Sequence, residues 1–112
     1  MIYLASPYSH DQAAVRESRF EAVRAVTGKL IRVGHVVFSP IVYSHQFAES
    51  HGTDFAAWEQ FDLTIIAVCR ELWVLRLGGW ETSKGVWNEI EYAKWLGKPV
   101  KYLNPETMEV TL

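Results

Sequence analysis

Two acidic residues, Asp62 and Glu89, lie where the sequence pattern leaves a carboxylate in need of explanation. Asp62 precedes the apolar segment 65–68, which should be buried, so its charge requires a partner. Glu89 borders a stripe of apolar residues at helical spacing, and it is either an exposed neighbour of that stripe or a group aimed into a site. If both reach one cleft, one can attack or stabilise a carbon centre while the other handles a proton.

Ser83 and Gly85 open the predicted helix that carries Glu89. The start of a helix presents unsatisfied backbone N–H groups and the positive end of the helix dipole, which together attract an anion. Ser83 therefore has two interpretations, as an ordinary N-cap or as part of an anion site. Tyr3 also has two, because a tyrosine in a short apolar run is either a core residue with a satisfied hydroxyl or a site residue.

Other kinds of site lack their sequence signatures. No pair of histidines has the spacing of a zinc site and the single Cys69 has no partner motif, so we expect no metal and no cofactor. The chain contains no Gly-x-Ser-x-Gly, no Gly-x-Gly-x-x-Gly and no Walker loop. These absences disfavour a serine hydrolase, a dinucleotide site and a triphosphate site of the familiar kinds.

Hydrophobic periodicity predicts the elements that position these residues. Strands are predicted at Ile2–Ala5, His35–Phe38, Leu72–Leu75 and Val100–Leu103. Helices are predicted at 11–33 with Asp11 as N-cap and Gly34 after the end, from 53 or 54 to 68, and at 83–96, with a short helix or ordered loop in 41–52. This alternation predicts an α/β fold, a doubly wound parallel sheet of four to five strands with helices on both faces, as in Rossmann-like or flavodoxin-like three-layer sandwiches.

In sheets of this kind the ligand sits beyond the carboxyl ends of the strands. The segments that follow the predicted strands, where polar residues, Gly and Pro concentrate, are 6–10, 39–45, 76–85 and 104–106. We therefore expect a site built partly from these loops.

The composition of the chain limits the classes of partner that we expect it to bind. The 112 residues suit one domain spanning 1–112, and 11 Lys+Arg against 13 Asp+Glu, without a basic stretch, argue against binding long nucleic acid. The apolar runs are too short to span a membrane, and one cysteine with no apparent leader favours the cytoplasm. Five Trp, five Tyr and five Phe exceed what one small core hides, so some should line a pocket or an oligomer interface.

Four motifs, in order along nearly the whole chain, resemble the nucleoside 2-deoxyribosyltransferase superfamily. They are Ile2-Tyr3-Leu4-Ala5-Ser6-Pro7-Tyr8, Asp62-Leu63, Ser83-x-Gly85-x-x-x-Glu89-Ile90-x-Tyr92-Ala93 and Gly97-Lys98-Pro99-Val100. The third is the most specific. The segments 35–40 and 72–75, with Gly79-Trp80, show a closer local likeness to a small phage and bacterial branch of that superfamily whose members are uncharacterised.

The resemblance implies a reaction at C1′ of a nucleoside or nucleotide. Glu89 would attack C1′ and form a glycosyl-enzyme intermediate, which water or a second base then resolves. Tyr3 would orient Glu89, and Asp62 would contact the sugar hydroxyls or protonate the leaving base. Ser6, Pro7, Ser83 and Gly85 would bind substrate, and Asn104 is the candidate for a residue lent to the site of a neighbouring subunit, so we expect a homodimer or higher homo-oligomer.

One departure bears on the substrate. Six residues before the Glu, transferases of free nucleosides carry Asp, whereas nucleoside-monophosphate N-hydrolases carry Ser, as this chain does at Ser83. The resemblance therefore favours a 5′-monophosphate and hydrolysis, with Lys84 and Arg76 as added charge. Trp80, Trp87 and Tyr8 could stack on the base or close the site, and Trp87 and Trp95 could equally form a dimer surface.

Two other interpretations stay open. A catalytically inactive nucleotide-binding or regulatory module of the same fold would keep Ser83 and Gly85. A relative of the cytokinin-type phosphoribohydrolases would share the sheet, but its Pro-Gly-Gly-x-Gly-Thr loop is missing here.

Overall fold

The computed structural model describes residues 1–47 and 55–112. The strands are β1 (Ile2–Ala5), β2 (Val37–Phe38), β3 (Glu71–Leu75), β4 (Val100–Leu103) and β5 (Val110–Thr111). The helices are α1 (Ala13–Arg32), α2 (Pro40–Ser44), α3 (Phe55–Val68) and α4 (Lys84–Trp95), with single 3₁₀ turns at His45–Phe47 and Trp80–Thr82. None of the helices in these two ranges combines the length and apolar character that crossing a bilayer requires.

The strands form one sheet in the order β2-β1-β3-β4-β5. The first four are parallel, which confirms the predicted α/β sheet, and the chain turns from one side of β1 to the other between β2 and β3. The fifth strand is antiparallel and returns beside β4 through a turn. Asn104 holds this turn, since its side-chain oxygen accepts hydrogen bonds from the backbone N–H groups of Glu106 (2.8 Å) and Thr107 (3.1 Å).

Alternating side chains of the buried strands face two separate cores. One core lies between the sheet and helices α3 and α4, and it contains Tyr3, Ala5, Ile66, Cys69, Leu72, Val74, Val86, Ile90 and Ala93. The other lies between the sheet and α1, and it contains Ile2, Leu4, Val23, Val26, Leu30, Trp73, Leu75 and Leu103. Tyr3 therefore projects from β1 toward α3 and α4.

Two features of the predicted ends of α1 have different outcomes. Asp11 is not the N-cap, because the helix starts at Ala13 after Gln12, which makes no side-chain cap bond. Gly34 does end the helix with a φ of 101°, and its N–H donates to Ile31 while that of His35 donates to Leu30, as in a Schellman motif. β2 is shorter than predicted, covering two residues rather than four. The predicted start of the third helix at 53 or 54 and the end of the predicted short helix or ordered loop in 41–52 lie outside the described residues.

Lys98, just after α4, ties the ends of α3 and α4 together. Its ammonium group donates to the carbonyl oxygens of Ile66 (3.0 Å), Ala67 (2.5 Å) and Cys69 at the end of α3. These are carbonyls at the negative end of a helix dipole, where a cation stabilises the helix.

Candidate functional site

A cleft opens between α3 and α4 on the face of the sheet that carries Tyr3. Its lining comes from Trp58, Glu59, Asp62 and Leu63 of α3 and from Gly85, Asn88 and Glu89 of α4. The two carboxylates singled out in the sequence therefore meet at one cleft, although 27 positions separate them, from 62 to 89.

Glu89 occupies the buried face of α4. It lies on the same face as Val86, Ile90 and Ala93, which are fully buried, and is itself only 9% exposed. The hydroxyl of Tyr3, which is 0% exposed, donates a hydrogen bond to the Glu89 carboxylate. Of the two interpretations from the sequence, an exposed neighbour of the stripe is therefore wrong, and Glu89 is aimed into the cleft.

Burial dominates the electrostatics of Glu89. Loss of solvent and, less strongly, the nearby charge of Asp62 together raise the pKa of its carboxyl to about 8. The hydrogen bond from Tyr3 acts in the opposite direction, because it stabilises the ionised form. Burial and the Glu89 charge likewise raise the pKa of Tyr3 well above its ordinary value. The Tyr3 hydroxyl therefore stays protonated and remains a hydrogen-bond donor.

Asp62 is the second titratable group of the cleft. Burial raises its pKa to about 7. Its Oδ1 atom is buried and has no hydrogen-bond partner among the described residues. An unpaired buried polar atom costs about 1–3 kcal/mol, so this oxygen has a hydrogen bond left to offer to a ligand.

Ser83 is the N-cap of α4. Its hydroxyl oxygen accepts a hydrogen bond of 3.2 Å from the Val86 N–H. The N–H groups of Lys84 and Gly85, in the first turn, have no acceptor within the helix. At Gly85, which lines the cleft, an added Cβ would meet only the Ser83 hydroxyl at 3.9 Å, so the position is open.

Three other predicted substrate contacts lie apart from the cleft lining. Ser6 and Pro7 are buried at the end of β1, and the Ser6 hydroxyl oxygen lacks a partner among the described residues. Asn104 is occupied in its own chain by the turn before β5. The cleft is thus formed by the faces of two helices, with Gly85 as the single contribution from the segments that follow predicted strands.

The aromatic residues proposed to stack on a base are also elsewhere. Trp80 packs near Trp87 (6.3 Å between ring centroids) and Tyr102 (5.7 Å), with the Arg76 guanidinium over both Trp80 and Tyr102. The Tyr8 hydroxyl bonds to the Nδ1 atom of His45 at 2.8 Å.

Trp58, Glu59 and Asn88 line the cleft and were missed by the sequence analysis. Trp58 has a signal in hindsight, because it precedes Asp62 by one helical turn and must share its face. Within residues 1–47 and 55–112, no group of three or more metal-ligating side chains comes together.

Comparison with known proteins gives three findings. The family model described as "Domain of unknown function (DUF1937)" matches residues 1–104. No curated protein matches the chain. Among solved structures, the chain is similar to a 2-deoxyribosyltransferase from the psychrotolerant bacterium Bacillus psychrosaccharolyticus, with 27% identity and a TM-score of 0.64 over 95% of this chain and 73% of that one.

Proposed function

Since the chain belongs to the DUF1937 family and, as its sequence resemblance predicts, to the nucleoside 2-deoxyribosyltransferase superfamily, we propose that it breaks the N-glycosidic bond of a nucleoside or nucleoside 5′-monophosphate. The structural neighbour described as a 2-deoxyribosyltransferase supports nucleoside base transfer at the level of the superfamily. The single observation that carries the proposal is the buried Glu89, which accepts a hydrogen bond from Tyr3 in the cleft that Asp62 also lines.

In the first step, an ionised Glu89 oxygen attacks C1′ of the sugar. The bond between C1′ and the base nitrogen breaks, its electron pair stays on the base, and the proton of Asp62 neutralises that charge. Burial raises the pKa of Asp62 to about 7 and that of Glu89 to about 8, so near pH 7–8 the pair shares one proton, and the form that reacts is the one in which Asp62 carries it. The products are a free base, an ionised Asp62 and a glycosyl ester on Glu89.

In the second step, water attacks C1′ and gives a proton to the Asp62 carboxylate. The ester bond breaks, its electron pair returns to Glu89, and the sugar leaves with a hydroxyl at C1′. A second base in place of water would give transfer instead of hydrolysis. Two displacements at one carbon retain its configuration, as in retaining glycosidases.

Tyr3 is a positioning residue in this scheme. Its hydroxyl holds one carboxylate oxygen of Glu89 and stabilises the ionised form that must attack. Its place in β1, which is paired with neighbours on both sides, fixes that donor relative to α4.

We also propose a 5′-monophosphate as the preferred substrate and water as the preferred acceptor. Ser83 supports this choice, because a neutral cap beside the first-turn N–H groups of Lys84 and Gly85 accepts a phosphate that an aspartate would repel.

Trp95, which is 79% exposed on α4, supports the further proposal of a homo-oligomer, which light scattering would test.

The proposal is tested by chromatographic detection of free base from a panel of ribo and deoxyribo nucleosides and 5′-monophosphates, with and without an acceptor base. Base released from a monophosphate in water identifies an N-hydrolase, and new nucleoside that forms only with acceptor identifies a transferase. Glu89→Gln should abolish turnover, whereas Glu91→Gln, an exposed position of the same helix, should not.

Turnover by Glu89→Gln within about tenfold of the wild type would remove Glu89 from the nucleophile role, since a nucleophile's loss costs far more. No turnover on any substrate, with a nucleotide still raising the melting temperature, would favour the inactive nucleotide-binding module.

A further inference from the structure

We propose that Trp58 forms the surface on which the nucleobase of the substrate stacks, an inference that rests on the proposed function. Trp58 lines the cleft together with Asp62 and Glu89.

The direction of the base follows from the neighbours of Asp62 on α3. If Asp62 protonates the leaving base, the base lies beside it and extends along the helix in one of two directions. One turn toward the C-terminus is Ile66, which is 1% exposed and packed in the core. Four residues toward the N-terminus, about 6 Å away along the axis, is Trp58 in the open cleft. Only the second direction has room for a base.

Trp58 is held in place by other rings. Phe47 is stacked against it, with ring centroids 6.1 Å apart and planes 24° apart. Phe61 meets it edge-on at 5.5 Å and 78°, and Phe61 is in turn stacked on Tyr43 at 5.5 Å and 3°. An indole supported in this way loses little freedom when a ligand stacks on it, so the platform is preorganised.

The other aromatic candidates are committed elsewhere. Trp80 packs with Tyr102 beneath the Arg76 guanidinium, and Tyr8 is bonded to His45. Among the residues that line the described cleft, Trp58 is the one aromatic side chain.

Stacking also predicts the pattern of specificity. Every base has a face that can stack, so Trp58 contributes affinity without strict selection of one base. A purine covers more of an indole than a pyrimidine does, and purine substrates should therefore depend more on Trp58.

The test compares a purine 2-deoxynucleotide with the matching sugar 1-fluoride, whose leaving group has no ring. In Trp58→Leu, the ratio of kcat/KM for the nucleotide to kcat/KM for the fluoride should fall about 10- to 100-fold, the range expected for one lost base stack. Phe20→Leu removes a ring of α1 that stacks on His45 outside the cleft lining, and it should leave the ratio unchanged. An unchanged ratio in Trp58→Leu would overturn the proposal.

Trp58→Phe keeps a smaller ring and covers the case in which the leucine variant does not fold. It should retain most activity, and purine substrates should lose more than pyrimidine substrates. Equal losses for the two base classes would count against stacking.

A binding measurement separates this proposal from the proposed function. If the wild type releases no base from any substrate, the proposed reaction fails, but free adenine should still quench the tryptophan fluorescence of the wild type more than that of Trp58→Phe. Equal quenching of both proteins would overturn the stacking role.

Discussion

The hydroxyl of Tyr3 donates a hydrogen bond to the carboxylate of Glu89, and both groups are buried beneath the cleft. The bond joins the first strand to the fourth helix and connects residues 86 positions apart. The hydrogen bond lowers the pKa of Glu89 and so stabilises its ionised form, whereas burial raises that pKa.

Tyr3→Phe should therefore lower kcat by about 10- to 100-fold, because a hydrogen bond to a charged group contributes about 1.5–3 kcal/mol. It should also raise the pKa of Glu89 and move the acidic limb of the pH profile upward. Tyr92→Phe is the matched control, since Tyr92 packs against the same core but lies outside the cleft lining. Equal effects of both variants would contradict the role of Tyr3.

The two carboxyl groups predict the pH dependence. Below about 7 both tend to be protonated and the nucleophile is lost, and above about 8 both are ionised and the acid is lost. The profile of kcat/KM should be bell-shaped, with its maximum between these values, and the limbs belong to the pair rather than to either residue. Asp62→Asn should remove the alkaline limb and lower the acidic one. A flat profile from pH 6 to 9 would be inconsistent with this pair.

Removal of Glu89 should stabilise the fold at alkaline pH. Burial raises its pKa from 4.5 to about 8, so between these values the folded chain keeps a proton that the unfolded chain releases. The free energy of unfolding therefore falls as pH rises through that window. Glu89→Gln should melt at a higher temperature than the wild type at pH 9, and the gain should shrink toward pH 5. The exposed Glu91→Gln should show no such trend.

Ser83→Asp tests the phosphate assignment without loss of the helix cap, because Asp and Asn are as good at the N-cap as Ser. The aspartate should lower kcat/KM for 5′-monophosphates more than for nucleosides, whereas Ser83→Asn should affect both alike. The comparison isolates charge, since the two side chains are nearly the same shape. If Ser83→Asp lowers kcat/KM equally for monophosphates and nucleosides, the phosphate proposal is wrong.

Gly85→Ala should separate stability from function. Alanine has a higher helix propensity than glycine, by at most about 1 kcal/mol, so it stabilises this first-turn position by less than that, and a Cβ here meets no close atom. The same methyl group narrows the cleft, so KM should rise while the melting temperature rises. Gly28→Ala in α1, where a Cβ also meets nothing within 4 Å, should raise the melting temperature and leave KM unchanged.

The sheet was predictable because buried parallel strands read as short apolar runs and the helices between them keep a regular apolar stripe. β5 was not predicted individually, since Val110 and Thr111 are exposed and carry no such pattern. Asp11 was mistaken for a cap because Gln12 at the actual cap position makes no side-chain bond.

The meeting of Tyr3, Asp62 and Glu89 could not be read from spacing, because it depends on the register of the sheet and the packing of two helices on one face. For Glu89, helical periodicity predicts only a place beside the buried apolar stripe of α4. The hydrogen bond from Tyr3 shows that the Glu89 side chain points inward. Trp58 was missed as a site residue because, by sequence alone, it reads as one more core position of α3.

The three hydrogen bonds from Lys98 pin α3 to the end of α4 at the side of the sheet where both helices finish. Trp58 and Gly85, by contrast, lie near the opposite ends of these helices. Because the two helices are held together at their C-terminal ends, any separation between them would increase toward their N-terminal ends. Any widening of the cleft for a bulky base would thus be greatest at Trp58 and Gly85 and least near Lys98, so the reacting carboxylates would move less than the wall that receives the base.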